Sequence, residues 1–128
     1  MNGCRWVQPG PEFETRSIAE NLGFESPRIF WLTGLAEGLW RGRHAHRESV
    51  LATFAVVGAC RIMLDDGKQK QSIELRANGP GLIIGPWIWH ELHDFTSDAT
   101  ILVIASTRYD EAEYIRDYDL FLREAAKR

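Results

Sequence analysis

The chain has only two cysteines and no long apolar run in its 128 residues. Two thiols cannot form the disulfide framework of a small secreted domain, so Cys4 and Cys60 are expected to be free, in a reducing compartment. Nothing approaches the ~20 apolar residues that cross a bilayer, and the opening MNGCRWVQPGPEFE lacks the apolar stretch of a secretory leader. A cytoplasmic protein with no membrane partner is expected. A basic excess is also missing: 15 Lys and Arg stand against 18 Asp and Glu, a net charge of -3, which argues against nucleic acid as a ligand. There are no repeats or low-complexity tracts. With 45% hydrophobic residues, disordered and fibrous classes are excluded. One globular domain with a core of its own remains.

What the chain does have is a series of short β-branched and aromatic runs from Arg28 onward, punctuated by Gly, Pro, Asn and Asp. Arg28–Thr33, Ser49–Val57, Ala59–Leu64, Gln71–Leu75, Gly81–Ile84 and Thr100–Ser106 read as antiparallel strands. Asp65-Asp66-Gly67 reads as a hairpin turn, because Asp-Gly tolerates positive φ. Asn78-Gly79-Pro80-Gly81 and Gly85-Pro86 are further turns. Residues 1–27 read as an irregular lead-in, and 28–108 as a barrel. Over 110–128, Tyr114, Ile115, Tyr118, Phe121 and Leu122 fall at helical spacing. Acidic residues come early in this segment and basic ones late, predicting a C-terminal helix. Many short strands and one helix point to an all-β barrel or jelly roll.

The four histidines fall in two clusters. In Arg41-Gly-Arg-His44-Ala-His46, residues two apart on a strand share a face, so both imidazoles project together. The second cluster is Gly85-Pro-Trp-Ile-Trp89-His90-Glu-Leu-His93. For His93 a surface or structural role is as good a reading as a functional one. Several arginines lie close by, which suits a small anionic ligand.

Gly-x-His-x-His followed by Gly-Pro…His resembles the two signature motifs of the cupin superfamily. In metal-binding cupins the first motif runs His-x-His-x-x-x-x-Glu. Here the glutamate position falls on Leu51. A narrower resemblance covers Arg28 to Phe121. The blocks are Arg41-Gly-x-His-Ala-His, Gly58–Gly67, Gly85-Pro86…Trp89-His90-Glu91, Leu102–Ser106 and Tyr109–Asp119. They resemble the sugar 3,4-ketoisomerase cupins, the WxcM-like or FdtA/QdtA family. The resemblance implies a small double-stranded β-helix, a homodimer with N-terminal strands packed across its interface, and a dTDP-4-keto-6-deoxyhexose as substrate. It also implies a place in deoxyamino-sugar or surface-polysaccharide biosynthesis. The chain departs from the family at Leu51, where a glutamine is usual, and at Phe30 or Trp31, where a tyrosine is usual.

Moving a carbonyl from C4 to C3 needs proton transfer and no redox cofactor. Histidine suits it, since it accepts and donates near neutral pH. His44 is the expected base at the sugar and His46 its expected partner in proton shuttling, with exchange of the two roles as the alternative. Arg41 and Arg28 are expected on the sugar or its diphosphate, His90 as a donor to an enediolate oxygen, and Trp89 stacked on base or sugar. No cofactor and no metal are expected. Two other readings of these residues stand beside this one: a non-catalytic sugar-nucleotide-binding cupin, and a metal-dependent cupin enzyme using His44, His46 and His90. Cys60 reads as packing, and the Tyr109–Asp119 block as an anchor for the helix without chemistry.

Overall fold

The structure, a computed structural model, describes residues 1–8, 20 and 22–128. Among them, ten strands pair into two antiparallel sheets of five. The first sheet runs β1 (Cys4–Val7), β7 (Gly81–Ile84), β4 (Leu51–Val57), β9 (Thr100–Ala105), β2 (Arg28–Leu32). The second runs β10 (Tyr114–Ile115), β3 (Arg41–His46), β8 (Trp89–His93), β5 (Ala59–Asp65), β6 (Lys70–Arg76). Helix α1 (Tyr118–Ala125) closes the chain.

Period-two alternation decides which side chains enter the barrel. On β5, Cys60, Ile62 and Leu64 are buried while Ala59, Arg61 and Met63 are only partly so. On β2, Arg28, Phe30 and Leu32 turn inward, leaving Ile29 and Trp31 about half and two-thirds exposed. The inner faces meet in one apolar cluster that includes Ile62, Leu64, Leu75, Leu82, Ile101 and Val103. Ala52, Phe54, Ile83 and Ile104 on the outer face of the first sheet form a second cluster with Val7 and Leu22. A third cluster joins Ala45, Trp89 and Ile115 on the outer face of the second sheet to Phe121 of α1.

The expected hairpin links β5 to β6. Asp65 pairs with Lys70 across it. The Asp66 carboxylate accepts from the amides of Lys68 and Gln69, and Gly67 takes the positive φ of 91°. The six expected strands are present as β2, β4, β5, β6, β7 and β9, and the barrel has the cupin architecture.

Two expectations need correction. Residues 4–7 are not irregular: β1 pairs with β7 in register from Cys4–Ile84 to Val7–Gly81. Residues 9–19 and 21 of the expected lead-in lie outside the described residues. The helix does not fill 110–128. Asp110 caps a single 3₁₀ turn at Glu111–Glu113, Tyr114–Ile115 is extended, and only at Asp117 does a second cap start α1 by accepting from the Leu120 amide. Side-chain caps at both aspartates compete with a continuous helix and split the segment. No helix among the described residues is long and apolar enough to cross a membrane.

Candidate active site

The site is built on β3. Its pairing with β8 slips between Gly42 and His44, where Gly42 and Arg43 both take positive φ, 81° and 60°. Such a bulge re-aims the residues that follow it. Gly42 allows it: a Cβ there would lie 2.9 Å from the carbonyl oxygen of His90. Beyond the bulge, His44 and His46 face the barrel interior beside His90 of β8. The three lie in the wall of a cavity of about 390 Å³, together with Arg28, Phe30, Arg41, Leu51, Thr53, Tyr109, Tyr114 and Arg116.

The imidazoles are in mutual contact. The His44 ring centroid is 4.8 Å from that of His46 and 4.6 Å from that of His90, and the Tyr114 ring covers both His44 (4.9 Å) and His46 (4.5 Å). Each ring has an acceptor at Nδ1: the Gly42 carbonyl for His44 (3.0 Å), the Ile88 carbonyl for His90 (3.2 Å) and the Glu113 carboxylate for His46 (2.6 Å). A carbonyl or carboxylate oxygen can only accept, so Nδ1 carries the proton and each neutral ring offers Nε2 as a base. His46 Nε2 is buried and has no hydrogen-bond partner among the described residues.

Burial keeps these rings uncharged. Desolvation, then the adjacent His46, pushes His44 down to about 4. Burial lowers His46 as well, opposed by its bond to Glu113. His90 falls well below the ordinary imidazole value, by burial and then by its two histidine neighbours. The set is therefore poised to take protons at neutral pH.

Arginines surround this cavity. The Arg28 guanidinium donates to the Tyr114 hydroxyl (3.2 Å) and lies over the rings of Phe30 and Tyr109. Arg116 is held by Glu111 through two nitrogens, at 2.6 and 3.0 Å. Arg28 and Arg41 have no carboxylate within 4.0 Å among the described residues, so their charge is free to meet an anion. A wider surface groove of about 530 Å³ near Lys68, Trp87 and Arg128 contains no histidine.

Five of the six expected site residues thus meet at one cavity: His44, His46, His90, Arg41 and Arg28. Trp89 does not. It adjoins His90 on a strand and so points to the opposite face, where it is 3% exposed and packs on Tyr118 and Phe121. Its indole N–H donates to Glu91. The His90 ring turns Nδ1 to the Ile88 carbonyl at 3.2 Å. His93 stacks on Trp40 outside the cavity, at 4.1 Å. Buried Cys60 belongs to the core, as expected. Sequence reasoning missed Tyr109, Glu113, Tyr114 and Arg116 by assigning their block to helix support. The signal was present in Asp110 and Asp117, whose caps frame a non-helical stretch.

The cupin resemblance raises the question of a metal. The three histidine nitrogens lie within 4.8 Å of one another. Nitrogens bound to one tetrahedral ion at ~2.0–2.1 Å stand about 3.4 Å apart, a spacing that lies inside this limit. The carboxylate position holds apolar Leu51, and the nearest acid, Glu113, is engaged with Nδ1 of His46. The three histidines could hold an ion without the carboxylate ligand of the metal-binding cupins, and no step below is routed through one.

Comparison with known proteins agrees with this geometry. The family profile "FdtA: WxcM-like, C-terminal" matches residues 13–126. The TDP-4-oxo-6-deoxy-alpha-D-glucose-3,4-oxoisomerase of Aneurinibacillus thermoaerophilus is 41% identical over 108 residues, 84% of this chain and 78% of that protein. An asparagine-for-histidine variant of the 3,4-ketoisomerase QdtA from Thermoanaerobacterium thermosaccharolyticum, in complex with TDP-4-keto-6-deoxyglucose, superposes with a TM-score of 0.92 at 28% identity. That match covers 100% of this chain and 97% of the other. WlaRA, a TDP-fucose-3,4-ketoisomerase from Campylobacter jejuni, is 40% identical with a TM-score of 0.78, over 80% of this chain and 76% of that one. With sequence and fold agreeing over nearly the full length, the chain belongs to the FdtA, WxcM-like family and is an isomerase built on a cupin barrel.

Proposed function

We propose that the protein converts a dTDP-4-keto-6-deoxyhexose into its 3-keto isomer through an enediolate. Two protons move: one from C3 to C4, and one from the C3 hydroxyl to the C4 oxygen. Both transfers need a neutral base that can hold a proton and return it, and His44 and His46 side by side supply two. The observation that carries this reading is the face-to-edge pair of imidazoles, both in the wall of a cavity of about 390 Å³, with His46 Nε2 buried and without a hydrogen-bond partner among the described residues. General acid–base help of this kind contributes roughly 10²–10⁴-fold per group. Arg28 and Arg41 bind the diphosphate, and the lack of a carboxylate partner for either among the described residues supports that assignment. His90 accepts a hydrogen bond from a sugar hydroxyl.

The protein acts as a homodimer, joined through the outer face of the first sheet, where Trp31 and Ile29 of β2 and Val56 of β4 are 65%, 49% and 55% exposed. It works in the cytoplasm, which suits two unpaired cysteines whose thiols burial raises to about 11 and 12.

The test is proton NMR of dTDP-4-keto-6-deoxyglucose with chelator-treated protein in deuterated buffer. A 3-keto product carrying deuterium at C4, reduced at least 100-fold in His44→Asn and in His46→Asn, is expected. Binding with no isomerisation and no exchange at C3 would instead identify a sugar-nucleotide-binding protein. Activity that disappears on chelation and returns with a divalent metal would restore the metalloenzyme reading.

A further inference from the structure

Glu113 makes the only contact between an acidic side chain and the histidine cluster among the described residues. Its carboxylate does two jobs. Oε1 accepts from Nδ1 of His46 at 2.6 Å, while Oε2 accepts from the backbone amides of Arg47 at 2.9 Å and Glu48 at 3.3 Å. The backbone at both sides fixes it further: Arg47 N–H donates to the Glu113 carbonyl at 2.8 Å, and Tyr114 pairs with His46 across β10 and β3. The carboxylate is 11% exposed and the imidazole 4%. His44 and His90 have only neutral carbonyls at the same ring position.

We propose that Glu113 is a positioning residue for proton transfer: it fixes the Nδ1–H tautomer of His46, aims the free Nε2 into the cavity, and balances the imidazolium formed when His46 takes a substrate proton. The inference rests on the isomerase reading for its last step. An anionic enediolate and a protonated His46 coexist in the intermediate, and Glu113 lets the ring hold that proton long enough to return it. The balance is closed: the proton leaves the sugar for Nε2, Glu113 exchanges none, and the proton goes back from Nε2 to the sugar. His44 lacks a carboxylate, so its protonated form is much less stable. The two histidines are therefore unequal, with His46 the one that stores charge.

The roles separate in Glu113→Gln. The amide oxygen can still accept from the Arg47 and Glu48 amides, which leaves an N–H₂ facing His46 Nδ1. A donor there forces Nδ1 to accept and moves the ring proton to Nε2, turning the base into a donor. Nitrogen-15 shifts of the labelled His46 ring report the tautomer directly. The wild type is expected to show Nδ1–H and the variant Nε2–H, with kcat lower by on the order of 10²- to 10³-fold and KM changed less than threefold. A carboxylate that merely held β10 in place would move neither the tautomer nor kcat at unchanged KM.

Wild-type His46 protonated at Nε2 would overturn the proposal even if the variant fails to fold. So would a folded Glu113→Gln that keeps kcat within threefold. A wild type with the Nδ1–H tautomer but no turnover of any 4-keto sugar nucleotide would end the isomerase reading, while the tautomer switch in the variant would still support Glu113 as the positioning group.

Discussion

The buried histidines make a prediction about stability that needs no substrate. His44 titrates at about 4 in the folded chain, against about 6.5 for a free imidazole. Between these values the unfolded chain binds a proton that the folded chain refuses, so stability rises with pH across the window and is lost as pH falls below about 6.5. At pH 5 the unfolded ring is almost fully protonated and the folded ring hardly at all. Linkage then gives a loss of about 2 kcal/mol between pH 7 and pH 5, which the partial solvent access of His44 reduces to roughly 1–1.5 kcal/mol. At ~1–3 kcal/mol per molar urea, this is a midpoint shift of about half a molar. Carboxylates do not confuse the window. Glu111, Asp66 and Glu124 are held below their ordinary values by hydrogen bonds and charge, so their contribution is present above about 4.5 and lost only in stronger acid. The assay is urea unfolding of wild type and His44→Gln at pH 7 and pH 5. The variant should lose less stability on acidification by about 1 kcal/mol or more. Its pH-independent packing cost cancels in the comparison, and removing His44 also relieves His90. Equal losses in the two proteins would mean that His44 titrates normally in the folded chain, and the burial argument would be refuted.

Two further outcomes are expected. Trp89→Ala should cost about 3–5 kcal/mol in urea or thermal unfolding, through the cavity left under α1, with KM for the sugar nucleotide unchanged in protein that remains folded; a raised KM at unchanged stability would return Trp89 to the binding site. Sedimentation should show a dimer at micromolar concentration and a monomer for Trp31→Glu, whereas a monomeric wild type would exclude the proposed interface.

The barrel was legible because its cues are local. Alternation on β5, the Asp-Gly turn after it and the pairing of His44 with His46 all follow from period two. The same rule, applied one step further, would have removed Trp89: it cannot share a face with His90. What escaped was long-range. The sequence spacing of Tyr114, Ile115, Tyr118 and Phe121 does fit a helix, and nothing within that window says that Tyr114 instead pairs with His46. The bond from His46 to Glu113 beside that pairing joins residues 67 positions apart. Local propensity loses here to two aspartate caps and to the hydrogen bonds offered by the edge of β3. The bulge at Gly42 was hidden for a related reason, because a glycine between two arginines shows freedom at that position but not the direction in which the strand uses it.

β10 is only two residues long, yet it occupies the outer edge of the second sheet beside β3. An uncovered edge offers unpaired amides and carbonyls to any passing strand. His44 and His46 precede by more than sixty positions the carboxylate and phenol that face them. During synthesis His44 and His46 therefore wait, without their acidic and phenolic neighbours, until Glu113 and Tyr114 are delivered. The step that seals the edge against aggregation is the same step that completes the cavity wall. A molecule still vulnerable to misassembly is thus also one whose chemistry has not been switched on.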